Sequence, residues 1–349
     1  MPLLRHQVPL HGREAQGPPL KTLVVAPSWI GDTIMMQPLL MRLRNRQPDA
    51  EIHVLAPAWS APLLARMPEV AAVIENPFAH GQFDWAGRRA LGRRLTTTDF
   101  AQAYVLPNSW KSALVPFFAG IPRRTGYAGE ARFVLLNDRR RLDKTALPRL
   151  VDRYAALAGP LTGATPNPHL TSTPDQQRAA RVALGLPQDV APIIFCPGAE
   201  YGPAKRWPTR HFADLARKVS HGGTPVWLIG SAKDAAVGDE IERLSDGAAI
   251  NLCGRTSLAQ AIDLIASARF VVSNDSGLMH VAAALDRPLA AIYGSSSPGY
   301  TPPLSCHARI VSLELECSPC FKRECPLGHL NCLNQLQPER VLAALRNDA

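Results

Sequence analysis

Asp32 is the one charged side chain between an apolar run, Leu23-Val24-Val25-Ala26, and the apolar residues Ile34, Met35 and Met36. A carboxylate in apolar surroundings loses solvation, so its pKa rises toward neutrality, where a general base works best. The alternative is a helix N-cap, for which Asp is a favoured residue. By itself the segment favours the cap.

Three later segments also put polar chemistry directly after an apolar run. In Cys196-Pro197-Gly198-Ala199-Glu200-Tyr201-Gly202-Pro203-Ala204-Lys205-Arg206-Trp207-Pro208, a basic pair follows glycines that let backbone approach a ligand, and Lys205 and Arg206 suit a diphosphate. Solvated surface is the alternative for any such pair. In Ser273-Asn274-Asp275-Ser276-Gly277-Leu278-Met279-His280 a polar turn opens a helix, whose free N–H groups and positive dipole end attract phosphate. Here too Asp275 or Ser276 could simply cap. In Leu228-Ile229-Gly230-Ser231-Ala232-Lys233-Asp234, the Asp234 carboxylate can accept from ribose hydroxyls or cap the next helix. Neither G-x-G-x-x-G nor G-x-x-x-x-G-K-[ST] stands at a strand–helix junction, which argues against a nicotinamide dehydrogenase and a P-loop NTPase.

Such loops need strands behind them. Apolar runs at 22–26, 52–56, 70–74 and 103–106 read as strands, and Met36, Leu39, Leu40 and Leu43 repeat at helical spacing, with Pro38 kinking the start of that helix. Residues 159–175 are dense in Pro, Gly and Thr and read as an extended linker. Strands then resume at 193–196, 226–229, 250–252, 270–273 and 289–293, with helical stripes at 212–219 and 258–265. The alternation predicts two doubly wound α/β domains, 21–170 and 171–349, after a flexible tail at 1–20. In open α/β sheets ligands bind beyond the carboxyl ends of the strands, so a central cleft between the two is the expected site. The final Pro338 to Ala349 reads as a helix returning to the first domain.

Lys plus Arg number 38 against 29 Asp plus Glu, a net +9 that favours anionic partners. Aromatics are only 6%, and no Lys/Arg stripe interleaves with them, so a nucleic-acid-binding module is the weaker reading. No apolar run approaches the roughly 20 residues of a membrane span, and the first 20 residues lack a signal-peptide core, so a cytoplasmic protein is expected. Lys111, Arg123 and Arg124 read as solvated charge, with acidic groups of a substrate as the alternative. Trp29 and Trp110 read as lining a cleft or packing in it. Cys196, Cys253 and Cys306 read as isolated small apolar residues. Cys317, Cys320, Cys325 and Cys332 crowd into sixteen residues with His329, a density that suggests structural zinc. Only one C-x-x-C pair is present, however, and thiols packed in a compact loop are the expected state.

Taken together, Ser28-Trp29-Ile30-Gly31-Asp32, the Gly198 to Pro208 loop, the Ser273 to His280 segment, the stretch from Pro107 to Gly120 and the Cys cluster resemble the ADP-heptose:lipopolysaccharide heptosyltransferases. The Gly202 to Pro208 form and the Cys segment point to the heptosyltransferase II branch. The resemblance covers about Lys21 to the C-terminus. It implies a GT-B fold, two Rossmann-like domains facing a central cleft, with the acceptor on the first and ADP-heptose on the second. It further implies an inverting transfer to the heptosylated Kdo-lipid A inner core that requires no metal or cofactor. By the same resemblance Asp32 is the base, Lys205 the cation at the diphosphate, and Glu200, Asp234, Thr256, Asp275, Ser276, Gly277, Leu278 and His280 donor-binding positions. A monomer is expected, in peripheral contact with the anionic inner face of the inner membrane. The alternatives are a heptosyltransferase I or III, or a GT-B enzyme for another nucleotide sugar.

Overall fold

The computed structural model describes residues 19–79, 81–220 and 223–346, so all but two residues of the expected tail lie outside it. Among the described residues, twelve strands form two sheets. The first holds β1 (Lys21–Val25), β2 (Glu51–Ala56), β3 (Val70–Glu75), β4 (Gln102–Val105), β5 (Arg123–Tyr127) and β6 (Asp138–Arg140), in the order β3-β2-β1-β4-β5-β6. The second holds β7 (Ile193–Cys196), β8 (Val226–Leu228), β9 (Ala249–Asn251), β10 (Phe270–Asn274), β11 (Leu289–Ile292) and β12 (Ala308–Val311), in the order β12-β11-β10-β7-β8-β9. Every pairing is parallel, with Val25 level with Leu55 and Val105, and Ser273 level with Cys196. Each sheet reverses its strand order beside its own first strand, β1 against β4 and β7 against β10. Those two switch points are where ligands of doubly wound sheets sit.

The central strands are apolar throughout because helices cover both faces: Leu23, Val24, Ile194 and Phe195 have no exposed surface. Apolar pattern alone misses β5, β6 and β12. Of the first two, β6 reads Asp-Arg-Arg on the open edge of the sheet, where charge discourages pairing with another chain, and β5 beside it, paired on both sides, reads Arg-Arg-Thr-Gly-Tyr.

The chain breaks at Met36 into two helices, Ile30–Met35 and Gln37–Arg46, with Pro38 in the first turn of the second. Between the halves, the Pro-rich connection is pinned at both sides. Gln37 exchanges two hydrogen bonds with the backbone of His169, Leu170 N–H donates to Ala284 O at 2.9 Å, and Thr171 N–H donates to Arg66 O at 3.1 Å. A buried pair, Arg66 to Asp263 at 2.8 Å, joins the two halves beside it. The expected return of the C-terminal helix to the first domain does not occur. Helix Pro338–Arg346 stays on the second sheet, where Leu336 and Val341 join Trp207 and Val311 in one core and Trp207 Nε1 donates to Leu336 O at 2.8 Å. Burying that apolar stripe beside β11 and β12 outweighs a crossing.

Candidate active site

Asp32 sits at the first switch point, in the opening turn of helix Ile30–Met35. The residue at that helix's N-cap is Trp29, with no side-chain cap bond, so the capping reading of Asp32 does not hold. Among the described residues its carboxylate accepts no hydrogen bond. Burial raises its pKa to about 6, with the charge of Lys205 pulling in the other direction. Burial first, and then Asp32 itself, holds the Tyr154 phenol well above its ordinary range, which places the two groups together.

Lys205 and Asp275 come from the second switch point, after β7 and β10. Lys205 Nζ donates to Asp275 Oδ2 at 2.5 Å, Ser296 Oγ donates to the same oxygen, and the ammonium lies 5.1 Å above the Tyr201 ring. Helix Gly277–Ala284 begins at Ser276, which makes no side-chain cap bond, and Asp275 is engaged by Lys205. Neither residue caps, so the first N–H groups of that helix remain open to an anion.

The two halves meet through glycine. A Cβ on Gly31 would stand 2.7 Å from the His280 ring, and one on Gly277 would stand 2.7 Å from Ile30 Cβ. Helices Ile30–Met35 and Gly277–Ala284 therefore approach closely enough to bring Asp32 and Lys205 into one cavity. His280, fully enclosed there, is driven down to about 4 by burial and stays neutral, against the pull of Asp275.

Three adjoining cavities fill the cleft. One of about 390 Å³ is lined by Asp32, Glu200, Lys205, Asp275, Ser276, Gly277 and His280. A second, of about 510 Å³, holds Glu200, Asp234, Thr256, Ser276, Gly277 and Leu278, with Ile229, Leu258 and Ala261 as apolar wall. All ten predicted positions thus face these two spaces. Asp234 is also committed to the backbone: its Oδ2 accepts from Ser231 N at 2.9 Å and Ser231 Oγ at 2.7 Å, fixing the loop after β8. Glu200 pairs with Lys233 at 2.5 Å on the exposed rim. The third cavity, about 790 Å³, belongs mainly to the first half and carries Asp32, Arg88, Lys111, Arg141, Lys144 and Arg153. Lys111 therefore faces the cleft. Arg123 instead pairs with Asp138 on the outer edge at 2.9 Å, and Arg124 donates to Ile121 and Leu135 carbonyls. Trp29 lines all three cavities.

Sequence reasoning missed Tyr300 and Ser296, both in the loop after β11. Tyr300 borders two cavities, and its carbonyl accepts from Leu150 N–H across the cleft at 3.0 Å. The same rule that found the loops after β7 and β10 applies to Ser295-Ser296-Ser297. The Cys segment has a packing role at this site: Tyr201 Oη donates to Phe321 O at 2.9 Å, Arg323 Nε donates to Tyr201 O at 2.7 Å, and Ala204 N–H donates to Arg323 O at 3.1 Å. Gly202, at φ +154°, has no room for a side chain, since a Cβ would lie 2.6 Å from Arg323 O. Of the three other cysteines, Cys306 is exposed rather than packed.

A raised Asp32 pKa has a stability consequence. The folded state holds the proton more tightly than the unfolded chain, so the stabilisation is fully present below about pH 4 and is lost as pH rises through about 6. Asp32→Asn cannot ionise and is expected to be more stable than wild type at pH 7.5, on the order of 1 to 3 kcal/mol. Thermal unfolding of both proteins should show the gap closing toward pH 4; a gap that widens on acidification would contradict the burial.

The model of glycosyltransferase family 9 (heptosyltransferase) matches residues 88–331. The chain is 47% identical over 341 residues to lipopolysaccharide heptosyltransferase 2 of Salmonella typhimurium, covering 94% of this chain and 98% of the relative. It is 48% identical over 339 residues to the protein of the same name from Escherichia coli, covering 93% and 97%. The solved structure of E. coli ADP-heptose lps heptosyltransferase II is similar at a TM-score of 0.84 and 46% identity, over 94% of this chain and 98% of that one. With two Rossmann-ordered sheets of the GT-B type and a cleft that opposes a carboxylate to a cation, the chain belongs to glycosyltransferase family 9, the heptosyltransferases.

Proposed function

We propose that this enzyme transfers heptose from ADP-L-glycero-D-manno-heptose to the heptosylated Kdo-lipid A inner core, with inversion at the anomeric carbon. Inversion needs a nucleophile on one face of the sugar and a leaving group on the other. Asp32 takes the proton of the acceptor hydroxyl, while Lys205 and the open N–H groups at Gly277 receive the charge that grows on the departing diphosphate. The observation that carries this reading is that Asp32 and the Lys205–Asp275 pair line one 390 Å³ cavity from opposite halves of the chain.

The 510 Å³ cavity then takes the adenosine, its base against Ile229, Leu258 and Ala261 and its ribose near Asp234 and Thr256. The acceptor occupies the 790 Å³ cavity, where Arg88, Lys111, Arg141, Lys144 and Arg153 meet its acidic groups. The positive charge that a metal would bring to the diphosphate comes from Lys205 and the helix, so the reading assigns no metal. Both walls belong to one chain, and a monomer suffices. No helix among the described residues is long and apolar enough to cross a membrane, and we place the enzyme at the inner face of the inner membrane by peripheral contact.

The test is a coupled assay of ADP release with inner-core acceptors carrying zero or one heptose. Turnover of ADP-heptose with the one-heptose acceptor is the expected result. Turnover confined to the acceptor without heptose, or with UDP- and GDP-sugars, would overturn the assignment.

A further inference from the structure

The outer face of the first half, beside the acceptor cavity, carries a pattern that catalysis does not use. Helix Trp85–Leu95 reads Trp-Ala-Gly-Arg-Arg-Ala-Leu-Gly-Arg-Arg-Leu. It buries Leu91 and Leu95 and exposes Arg89, Arg93 and Arg94, with no acidic residue along its length. At its amino end Phe83 is 58% exposed and Trp85 44% exposed. Asp84, between them, is occupied as N-cap, accepting from Gly87 N at 2.8 Å.

A second group adjoins it. The crossover between β5 and β6 raises Phe133 and Val134 to 68% and 73% exposure, with the exposed Arg139 guanidinium 5.2 Å over the Phe133 ring. The groups are joined: Trp85 stacks on Trp110 at 5.9 Å, and Trp110 N–H donates to Glu130 Oε2 at 2.7 Å at the start of that crossover. Beneath both lies one core, in which Leu91 and Leu95 pack with Leu135 and Leu136. Single exposed apolar side chains are ordinary, but here Phe83 and Trp85, both packed on Trp110, are linked through Glu130 to the crossover that exposes Phe133 and Val134, with arginines beside each pair. Aromatic rings with cationic neighbours match the headgroup boundary of an anionic bilayer, where the rings enter the interface and each cation adds attraction.

We infer that this face, Phe83, Trp85, Phe133 and Val134 with Arg89, Arg93, Arg94 and Arg139, is the surface by which the enzyme docks on an anionic membrane. The inner side of the same helix supplies Arg88 to the acceptor cavity, so docking sets the mouth of that cavity at headgroup level. The inference rests on the reading of the acceptor as lipid-linked and gives the peripheral contact a place on the molecule.

The experiment is co-sedimentation of the full chain with phosphatidylethanolamine vesicles, with and without phosphatidylglycerol. Partition onto the phosphatidylglycerol vesicles is expected, weakened on the order of 100-fold by the triple variant Arg89→Gln/Arg93→Gln/Arg94→Gln. The triple variant Phe83→Ser/Trp85→Ser/Phe133→Ser should lose the part of the binding that survives high salt. Both variants should release ADP at the wild-type rate with a delipidated one-heptose acceptor, which also shows that they fold. Equal partition of wild type and variants would overturn the docking face, as would binding to a single-stranded oligonucleotide in place of vesicles. Failure of the wild type to turn over the delipidated acceptor would instead count against the proposed reaction.

Discussion

Replacing Asp32 with alanine is expected to cut turnover by ~100- to 10,000-fold while leaving the affinity for ADP-heptose close to that of the wild type. The side chain is placed for a proton and for little else. It stands in the first helical turn after β1, it does not cap that helix, and its carboxylate accepts no hydrogen bond among the described residues. A structural carboxylate in such a position would ordinarily be paired or hydrogen-bonded. Burial holds it near pH 6 as a base that is ionised at neutral pH and still basic enough to accept a proton. Steady-state kcat and donor binding by calorimetry separate the two effects. Near-normal kcat in the variant would remove Asp32 from the reaction.

Lys205→Ala should harm both KM and kcat, the latter by roughly 100- to 1000-fold, because a cation at the diphosphate acts on the bound donor and more strongly on the departing group. The ammonium is anchored 2.5 Å from a carboxylate that is itself 95% enclosed, and it lies over Tyr201, so its position does not depend on the ligand to order it. Removing it leaves Asp275 with Ser296 as its remaining hydroxyl partner, a loss of pairing that also costs stability. Lys205→Arg keeps the charge and separates the two losses: it should recover folding stability more fully than rate. A kcat in Lys205→Ala equal to wild type would make Lys205 a structural partner of Asp275 alone.

Much of this site is legible in the sequence for a geometric reason. In parallel sheets the strands are continuous apolar runs, so the first polar residues after each run must lie at the carboxyl edge, and Asp32, Lys205, Asp234 and Asp275 each fall there. Where the strands are themselves polar the rule has nothing to grip. β5 and the edge strand β6 carry arginines in place of an apolar run, so nothing in the sequence marks Arg141 and Lys144, which follow β6 into the acceptor cavity. Pairing across the chain is equally silent in sequence. That Asp275 holds Lys205 rather than capping its own helix follows from the meeting of two loops seventy positions apart. The same holds for Gly31 and Gly277, whose neighbours belong to opposite halves of the chain, and for the Cys segment, whose contacts with Tyr201 and Ala204 no motif of spacing reveals.

The most direct measurement is the pH dependence of kcat/KM for the wild type and Lys205→Ala side by side. Asp32 must be ionised to act, so the wild-type profile should fall tenfold per unit on the acid side of a break near pH 6. Because Lys205 lowers the Asp32 pKa, its removal should move that break to higher pH. A wild-type profile flat from pH 8 down to 5, or a break that stays in place without Lys205, would contradict a base and a cation facing each other across one cleft.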